Sequence, residues 1–304
     1  MCRAFLSNWK DENGKYKWWG RFNQGVISIN LPQIGIIANG DMDKFWRLLD
    51  KRLDLCKEAL LVRHNLLKGT KAEVSPIHWM YGGLARLKAD DVIDPLLYGG
   101  YSTITLGYVG MCEMCYAMLG KSNTTKEGEK FCLDVMKYMK QKCEDWKKQY
   151  NLGFALYGTP AESLIYRFCR IDKQKFGVIP NVTDKDYYTN SYHVNVTEEI
   201  DAFSKLKYES QFQDISSGGC ISYVEVPDLS KNLESVEQLI NYIYHNIQYA
   251  EINTKPDLCY KCGFKGELKL NDDMEWYCPN CGNKDNNGMQ VMRRTCGLTI
   301  IGSR

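Results

Sequence analysis

The sequence predicts an α/β fold that ends in a small cysteine-rich module, and three observations carry that prediction. β-branched, apolar stretches alternate with stretches whose apolar residues recur at helical spacing, from GVISINLPQIGI to KNLESVEQLINYIYHNIQY. Two Cys-x-x-Cys pairs close the alternation. A chain of 304 residues, 44% hydrophobic and 25% charged, can bury a large core, as one large or two ordinary domains.

Each element has its own reason. GVISINLPQIGI reads as a buried strand and a turn, and DKFWRLLDKRLDLCKEALLVRHNLL as a long amphipathic helix opened by Asp41 or Asp43. GGYSTITLGYVG is a β-branched run between glycines, and a helix follows from about Glu127 to Tyr150. FALYGTPAESLIYRFCRID gives a strand, a turn and a helix, and KNLESVEQLINYIYHNIQY gives the last helix before the cysteine pairs. Strands alternating with helices make a parallel sheet or barrel. No internal repeat or low-complexity linker interrupts the chain, so a single boundary falls near Asp257.

Composition narrows the function. A net charge of +2 argues against a nucleic-acid protein built on a broad basic surface. No apolar run approaches a membrane span and MCRAFLSNWKDENG lacks a secretory signature, so a cytoplasmic chain without membrane contact is expected. Thirteen cysteines, an odd number, would leave one unpaired in a disulfide framework; in a reducing compartment they serve as core residues, metal ligands or catalytic thiols. Cys56, Cys132, Cys143 and Cys169 fall in helical stretches and read as small core residues. The lone CEMC pair, Cys112 and Cys115, also reads as packing. Cys220 follows a glycine-rich run suited to close contact with another backbone, and no chemistry is assigned to it. His64, His78, His193 and His245 have no partner at ligand spacing and read as surface or hydrogen-bonded residues, and Trp18 and Trp19 read as packing residues.

The last cysteines follow a metal pattern. In DLCYKCGFKGELKLNDDMEWYCPNCGNKD, Cys259 and Cys262 are separated by two residues, fifteen residues follow, and Cys278 and Cys281 are again separated by two. A Cys-x-x-Cys followed by glycine, here Gly263 and Gly282, turns two sulfurs toward one ion, and GELKL and EWYC form the hairpin between the knuckles. Four thiolates on one zinc leave no open position, so the expected metal is structural.

The TPAES turn after FALYG has a mechanism of its own. Thr159 can cap a helix, Pro160 suits its first position, and Glu162 completes a capping box. Such a turn is either an ordinary well-capped helix start or, because its backbone N–H groups face the mouth of the sheet, a seat for phosphate.

As an ordered set these pieces resemble the C-terminal half of the anaerobic (class III) ribonucleoside-triphosphate reductases, a family of glycyl-radical enzymes. The matching stretches run from Met1 to Gly297: MCRAFLS, GRFNQGVISINLP, SPIHWMYGGLARL, GYSTITLGYVG, GTPAESLIYRF, YYTNSYHVNV, SSGGCISYVEVP, the two cysteine pairs and RRTCG. The resemblance implies the C-terminal half of a ten-stranded α/β barrel with a finger loop at its start. The domains that follow from it are 1–256 for the barrel half, 257–288 for a zinc ribbon and 289–304 for a glycyl-radical loop.

The resemblance also assigns roles. Gly297 carries the stable radical; with no side chain, its α-carbon can flatten and delocalise the electron into both amides, and the loop can enter a crowded core. Cys2, in the finger loop, is the thiyl residue that takes the ribose 3′ hydrogen, and Asn23 hydrogen-bonds the sugar hydroxyls. Thr159, Ala161, Glu162 and Ser163 hold the substrate phosphates, and Cys259, Cys262, Cys278 and Cys281 hold Zn2+. The implied reaction is reduction of ribonucleoside triphosphates for DNA synthesis. A radical S-adenosylmethionine iron-sulfur activase installs the radical, formate is the reductant, and the full enzyme is a homodimer.

By the same resemblance the chain begins at the finger loop. The first barrel half, its second cysteine, the specificity site and the ATP cone are therefore expected on an N-terminal half, without which exposed strand edges should make this half unstable. At the other end Leu298 stands where the family has an aromatic residue. Two further readings remain beside the catalytic half: an inactive remnant, and a module whose zinc ribbon docks a partner or nucleic acid.

Overall fold

A computed structural model describes residues 4–10, 13–254, 256–271, 275–295 and 298–302, with the backbone alone for 293–295 and 298–302. Cys2, Cys296 and Gly297 lie outside the described residues. The chain divides into two compact units, Met1–Glu199 with Lys207–Ile221, and Ile200–Leu206 with Ser222–Arg304.

The first unit is built on a parallel sheet of three strands, β1 (Phe22–Asn30), β2 (Ser102–Val109) and β3 (Gly153–Tyr157), in the order β1-β2-β3. Parallel neighbours need crossovers, and helices supply them: α1 (Leu31–Ala38), α2 (Met42–Leu66) and the short α3 (Pro76–Trp79) between β1 and β2. α4 (Met111–Leu119) and α5 (Lys126–Tyr150) lie between β2 and β3. α2 packs on β1 and α5 on β3, and the two helices meet through Phe45 and Phe131, whose ring centroids are 5.2 Å apart. Every residue of β2 and β3 is buried, as expected for parallel strands covered on both faces.

Caps and breakers explain most boundaries. Asp41 caps α2 by accepting from Lys44 N at 2.9 Å, and Thr125 caps α5 by accepting from Gly128 N. GVISINLPQIGI differs from its reading as a strand and turn. The strand ends at Asn30, whose side chain caps α1, and Pro32 sits in the first turn of that helix. α7 (Ala202–Ile215) has no clear amphipathic signal in the sequence, because its buried side carries Glu209 and Gln213 beside Leu206 and Phe212. Trp18 and Trp19 do not pack as expected. They lie 65% and 80% exposed in the irregular stretch before β1, and the Trp18 ring meets Tyr16.

The glycine-rich run before Cys220 does approach another backbone. Gly218 N donates to Leu156 O at 2.7 Å and Gly158 N donates to Gly219 O at 2.9 Å, so this run lies along β3. A Cβ on Gly218 would fall 3.0 Å from the Ala155 Cβ and 3.1 Å from Thr105 Cγ2, which leaves no room for a side chain.

In the second unit β4 (Ser222–Glu225) and β5 (Ala250–Asn253) pair in parallel, with α8 (Leu233–Asn246) between them in sequence. Leu206, Val224, Leu239 and Ile247 form their core. The ribbon follows, with β6 (Leu258–Cys259), β7 (Lys269–Leu270), β8 (Trp276–Tyr277), β9 (Met289–Thr295) and β10 (Leu298–Gly302). β7 and β8 form the expected hairpin, and β9 pairs antiparallel with both β6 and β10. Asp257 stitches the ribbon together: buried, it accepts from Leu268 N and Met292 N, each at 2.8 Å. The architecture is α/β with parallel sheets, and among the described residues no barrel closes.

Candidate active site and metal centre

Side chains alternate along a strand, so Thr103, Thr105 and Gly107 of β2 share one face of the sheet. Asn23 lies at the start of β1, just before a break in register between Asn23 and Val26. Its amide is held on both sides: Oδ1 accepts from Gly25 N at 2.8 Å, and Nδ2 reaches Thr105 Oγ1 at 3.5 Å. Thr105 in turn donates to Gly25 O at 2.9 Å. Behind this bulge Gln24 is locked in place. Its Nε2 donates to Ser102 Oγ at 2.6 Å and its Oε1 accepts from His64 Nδ1 at 3.0 Å, while His64 Nε2 lies 3.2 Å from Tyr98 OH. Burial lowers the His64 pKa from its ordinary value, which keeps the ring neutral for these two bonds.

Further along the same face Ser28 Oγ and Thr159 Oγ1 lie 3.4 Å apart. They fill the space that a side chain at Gly107 would take: a Cβ there would fall 2.1 Å from Thr159 Oγ1 and 2.5 Å from Ser28 Oγ. Glycine at 107 therefore lets the turn after β3 close onto the sheet.

That turn differs from the predicted capping box. α6 (Ser163–Phe176) starts at Ser163, and Glu162 occupies the cap position without a side-chain cap bond. Thr159, ahead of Pro160, is biased toward extended backbone, and its hydroxyl bonds Tyr157 O at 3.4 Å instead of a helix N–H. The first N–H groups of α6 thus carry no side-chain cap, and the positive end of the helix dipole is open. Thr159, Ala161, Glu162 and Ser163 line one groove of about 520 Å³ with Ser28 and Arg167. Glu162 is exposed and does not turn back into a cap, so its charge opposes an anion there, and the Arg167 guanidinium on the same groove offsets it.

The four ribbon cysteines come together. Their sulfurs all lie within 4.8 Å of one another; Cys259 Sγ is 3.8 Å from Cys281 Sγ, and Cys262 Sγ is 3.6 Å from Cys278 Sγ. Four sulfurs about 2.3 Å from a tetrahedral ion stand about 3.8 Å apart, so the set fits such a metal. Each knuckle closes by a glycine N–H donating to the first cysteine's carbonyl at 2.8 Å, with Gly263 at φ +71° and Gly282 at φ +68°. The Asn280 amide and the Phe264 N–H lower the Cys262 thiol's pKa from its ordinary value, while that of Cys281, against the other sulfurs, is raised. Asn283 Nδ2 donates to Cys259 Sγ at 3.8 Å from outside the cluster.

The other cysteines are as the sequence suggests. Cys56, Cys112, Cys115, Cys132, Cys143, Cys169 and Cys220 are buried free thiols, and burial raises the pKa of Cys56 and Cys169 to about 11.

Sequence patterns match the same parts. The pattern of the anaerobic ribonucleoside-triphosphate reductase family covers residues 1–299. The chain belongs to this family. Relatives named anaerobic ribonucleoside-triphosphate reductase are 41% identical over 299 residues in Salmonella typhimurium and in Escherichia coli, covering 97% of this chain and 42% of each relative. The relative in Enterobacteria phage T4 is 39% identical over 301 residues and is covered to 48% of its length. The chain thus spans less than half the length of the anaerobic ribonucleoside-triphosphate reductases it matches. Crystal structures of the anaerobic ribonucleotide reductase from Thermotoga maritima share the fold. The one with MES in the active site superposes with a TM-score of 0.68 at 22% identity, over 98% of this chain and 46% of that one. The complex with dATP and CTP gives 0.67 at 22% identity, over 97% and 45%.

Sequence reasoning missed several residues of the sheet face and the groove beside it. Thr105 and Gly107 could have been found from the two-residue alternation in STITLGY, which puts them on one face. Ser28 and Arg167 carry no local signal. Among the described residues no helix is long and apolar enough to cross a membrane.

Proposed function

We propose that this chain supplies the C-terminal catalytic part of an enzyme that reduces ribonucleoside triphosphates to 2′-deoxyribonucleoside triphosphates. The family match over residues 1–299 carries this reading. In it, the parallel strands of the chain are half of a ten-stranded barrel, with segment 1–256 catalytic, 257–288 the ribbon and 289–304 the radical loop. An N-terminal half completes the barrel, and the whole enzyme is a homodimer in the cytoplasm.

Within that reading each residue has a task. Gly297 stores the radical after a radical S-adenosylmethionine iron-sulfur activase removes one α-hydrogen. Cys2, as the thiyl, takes the ribose 3′ hydrogen, and Asn23 orients the sugar by hydrogen bonds to its hydroxyls. Loss of the 2′ hydroxyl as water then requires two electrons and two protons from outside, one of the protons carried by formate. Formate supplies the electrons and leaves as CO2, so formate, one proton and the ribonucleotide become CO2, water and the deoxyribonucleotide. The uncapped N–H groups of α6 and Arg167 suit the triphosphate, and the N–H groups around Glu162 and Ser163 meet it rather than the Glu162 carboxylate. Zn2+ on Cys259, Cys262, Cys278 and Cys281 is structural, since four thiolates fill its coordination.

The test is turnover. The chain is assembled without oxygen with an N-terminal half and a cognate activase, then given formate and each of the four ribonucleoside triphosphates. The expected product is the 2′-deoxyribonucleotide, and Asn23→Ala should lower kcat by about 100-fold, as loss of one positioned donor does elsewhere. An assembled, metal-loaded enzyme that forms no deoxyribonucleotide would contradict the reading.

A further inference from the structure

Arg21 stands directly before β1 and is only 7% exposed, yet among the described residues its hydrogen bonds go to carbonyls and to no carboxylate. Nη2 donates to Ser7 O at 2.6 Å, Nη1 donates to Lys17 O at 3.2 Å, and Nε donates to Gly100 O. A buried cation is costly unless its donors are met, and here three carbonyls meet it, Ser7 and Lys17 from the irregular stretch before β1 and Gly100 from the turn before β2. Only a planar fork of donors can bridge them at once; an ammonium on a single nitrogen cannot span the same positions.

What the fork holds is the segment 4–10. That segment has further anchors: Phe5 N donates to Gly218 O at 2.8 Å, and Lys147 Nζ donates to Asn8 O at 3.1 Å. Trp9 lies against Gly100, where a Cβ would fall 2.2 Å from Trp9 Cδ1. The Phe5 anchor gives the arrangement its meaning. Gly218 abuts Thr105 and Ala155, and Thr105 holds the Asn23 amide. The start of the described chain is thus linked to the residue proposed to orient the sugar through Gly218 and Thr105. Cys2 is three residues upstream of Phe5.

We propose that Arg21 is a positioning residue for Cys2: its guanidinium fixes the register of segment 4–10 against the sheet face that carries Asn23. This rests on the reading of Cys2 as the thiol that attacks the ribose. Arg21 itself touches no substrate. It acts by removing the freedom of the segment that delivers the thiol, and small displacements of a reacting group cost much rate.

The experiment compares Arg21→Lys and Arg21→Gln with the unsubstituted enzyme, each assembled with the N-terminal half and activated without oxygen. Both variants should keep their zinc, their glycyl radical and a KM within about threefold, while kcat falls by about 10-fold or more. Amide exchange at Phe5 should rise while that of β2 and β3 stays unchanged. A kcat within about twofold of the unsubstituted enzyme in both variants overturns the proposal. So does equal loosening of β2 and β3, which would make Arg21 a general prop of the fold. If Arg21→Gln does not assemble, Arg21→Lys, which keeps the charge, decides, and failure of both to assemble also overturns the proposal. An unsubstituted enzyme that makes no radical or product speaks against the functional reading instead, and the Phe5 exchange then decides on Arg21 by itself.

Discussion

The ribbon and the sheet face reach order by different routes. In the ribbon the chemistry is local: two Cys-x-x-Cys pairs, each closed by a glycine, bring four sulfurs within 4.8 Å, and the core around them is small, with Cys259, Cys278, Leu268 and Met289 buried. On the sheet face the site is assembled from distant parts, Asn23 and Ser28 on β1, Thr105 and Gly107 on β2, and Thr159 beyond β3, over a large buried core. On the proposed reading the ribbon depends on an ion held by its four sulfurs and the sheet on burial, and each should then fail in its own way.

Metal removal should have the largest effect. Binding energy in a four-thiolate site of this size is folding energy, on the order of 10 kcal/mol in small zinc modules. Chelation, or Cys278→Ser, is expected to release the amides of the ribbon to free hydrogen exchange while β2 and β3 keep their protection. Exchange mapped by mass spectrometry checks this. A ribbon that stays protected without metal would show that its small core and Asp257 suffice, and would erase the contrast.

A smaller effect should come from His64 on the sheet side. Burial lowers its folded pKa below the unfolded value near 6.5, so between the two values the unfolded chain binds more protons. Stability should therefore be complete above about pH 6.5 and decline as pH falls through that value toward the folded pKa. His64→Gln, which cannot take up the proton, should flatten the decline. Urea midpoints of the assembled enzyme at pH 7.5 and 5.5 would measure it, and an identical slope in the variant would remove His64 from the account.

The same contrast explains what was legible in the sequence. The ribbon could be read residue by residue because the spacing of Cys259, Cys262, Cys278 and Cys281 already encodes the geometry. The order of strands and long helices was also legible, since β2 and α5 have clear apolar patterns and Asp41 caps α2 as expected. α7 was not, because Glu209 and Gln213 lie on its buried side and blur the period. The start of α6 was misplaced, because Thr159 spends its hydroxyl on Tyr157 and faces Ser28, partners that lie outside the local pattern. Arg21 was invisible for the same reason: its partners are backbone carbonyls at residues 7, 17 and 100, and carbonyls leave no trace in a sequence.

Cys2, Cys296 and Gly297 lie outside the described residues, so their roles are tested by chemistry. The most direct measurement is low-temperature electron paramagnetic resonance on this chain, assembled with an N-terminal half and a cognate activase without oxygen, beside Gly297→Ala. A doublet from one glycine α-hydrogen, absent in Gly297→Ala, is the predicted result and makes Gly297 the radical site. A zinc-loaded, assembled sample that stays silent, or a doublet that survives in Gly297→Ala, would contradict the central claim.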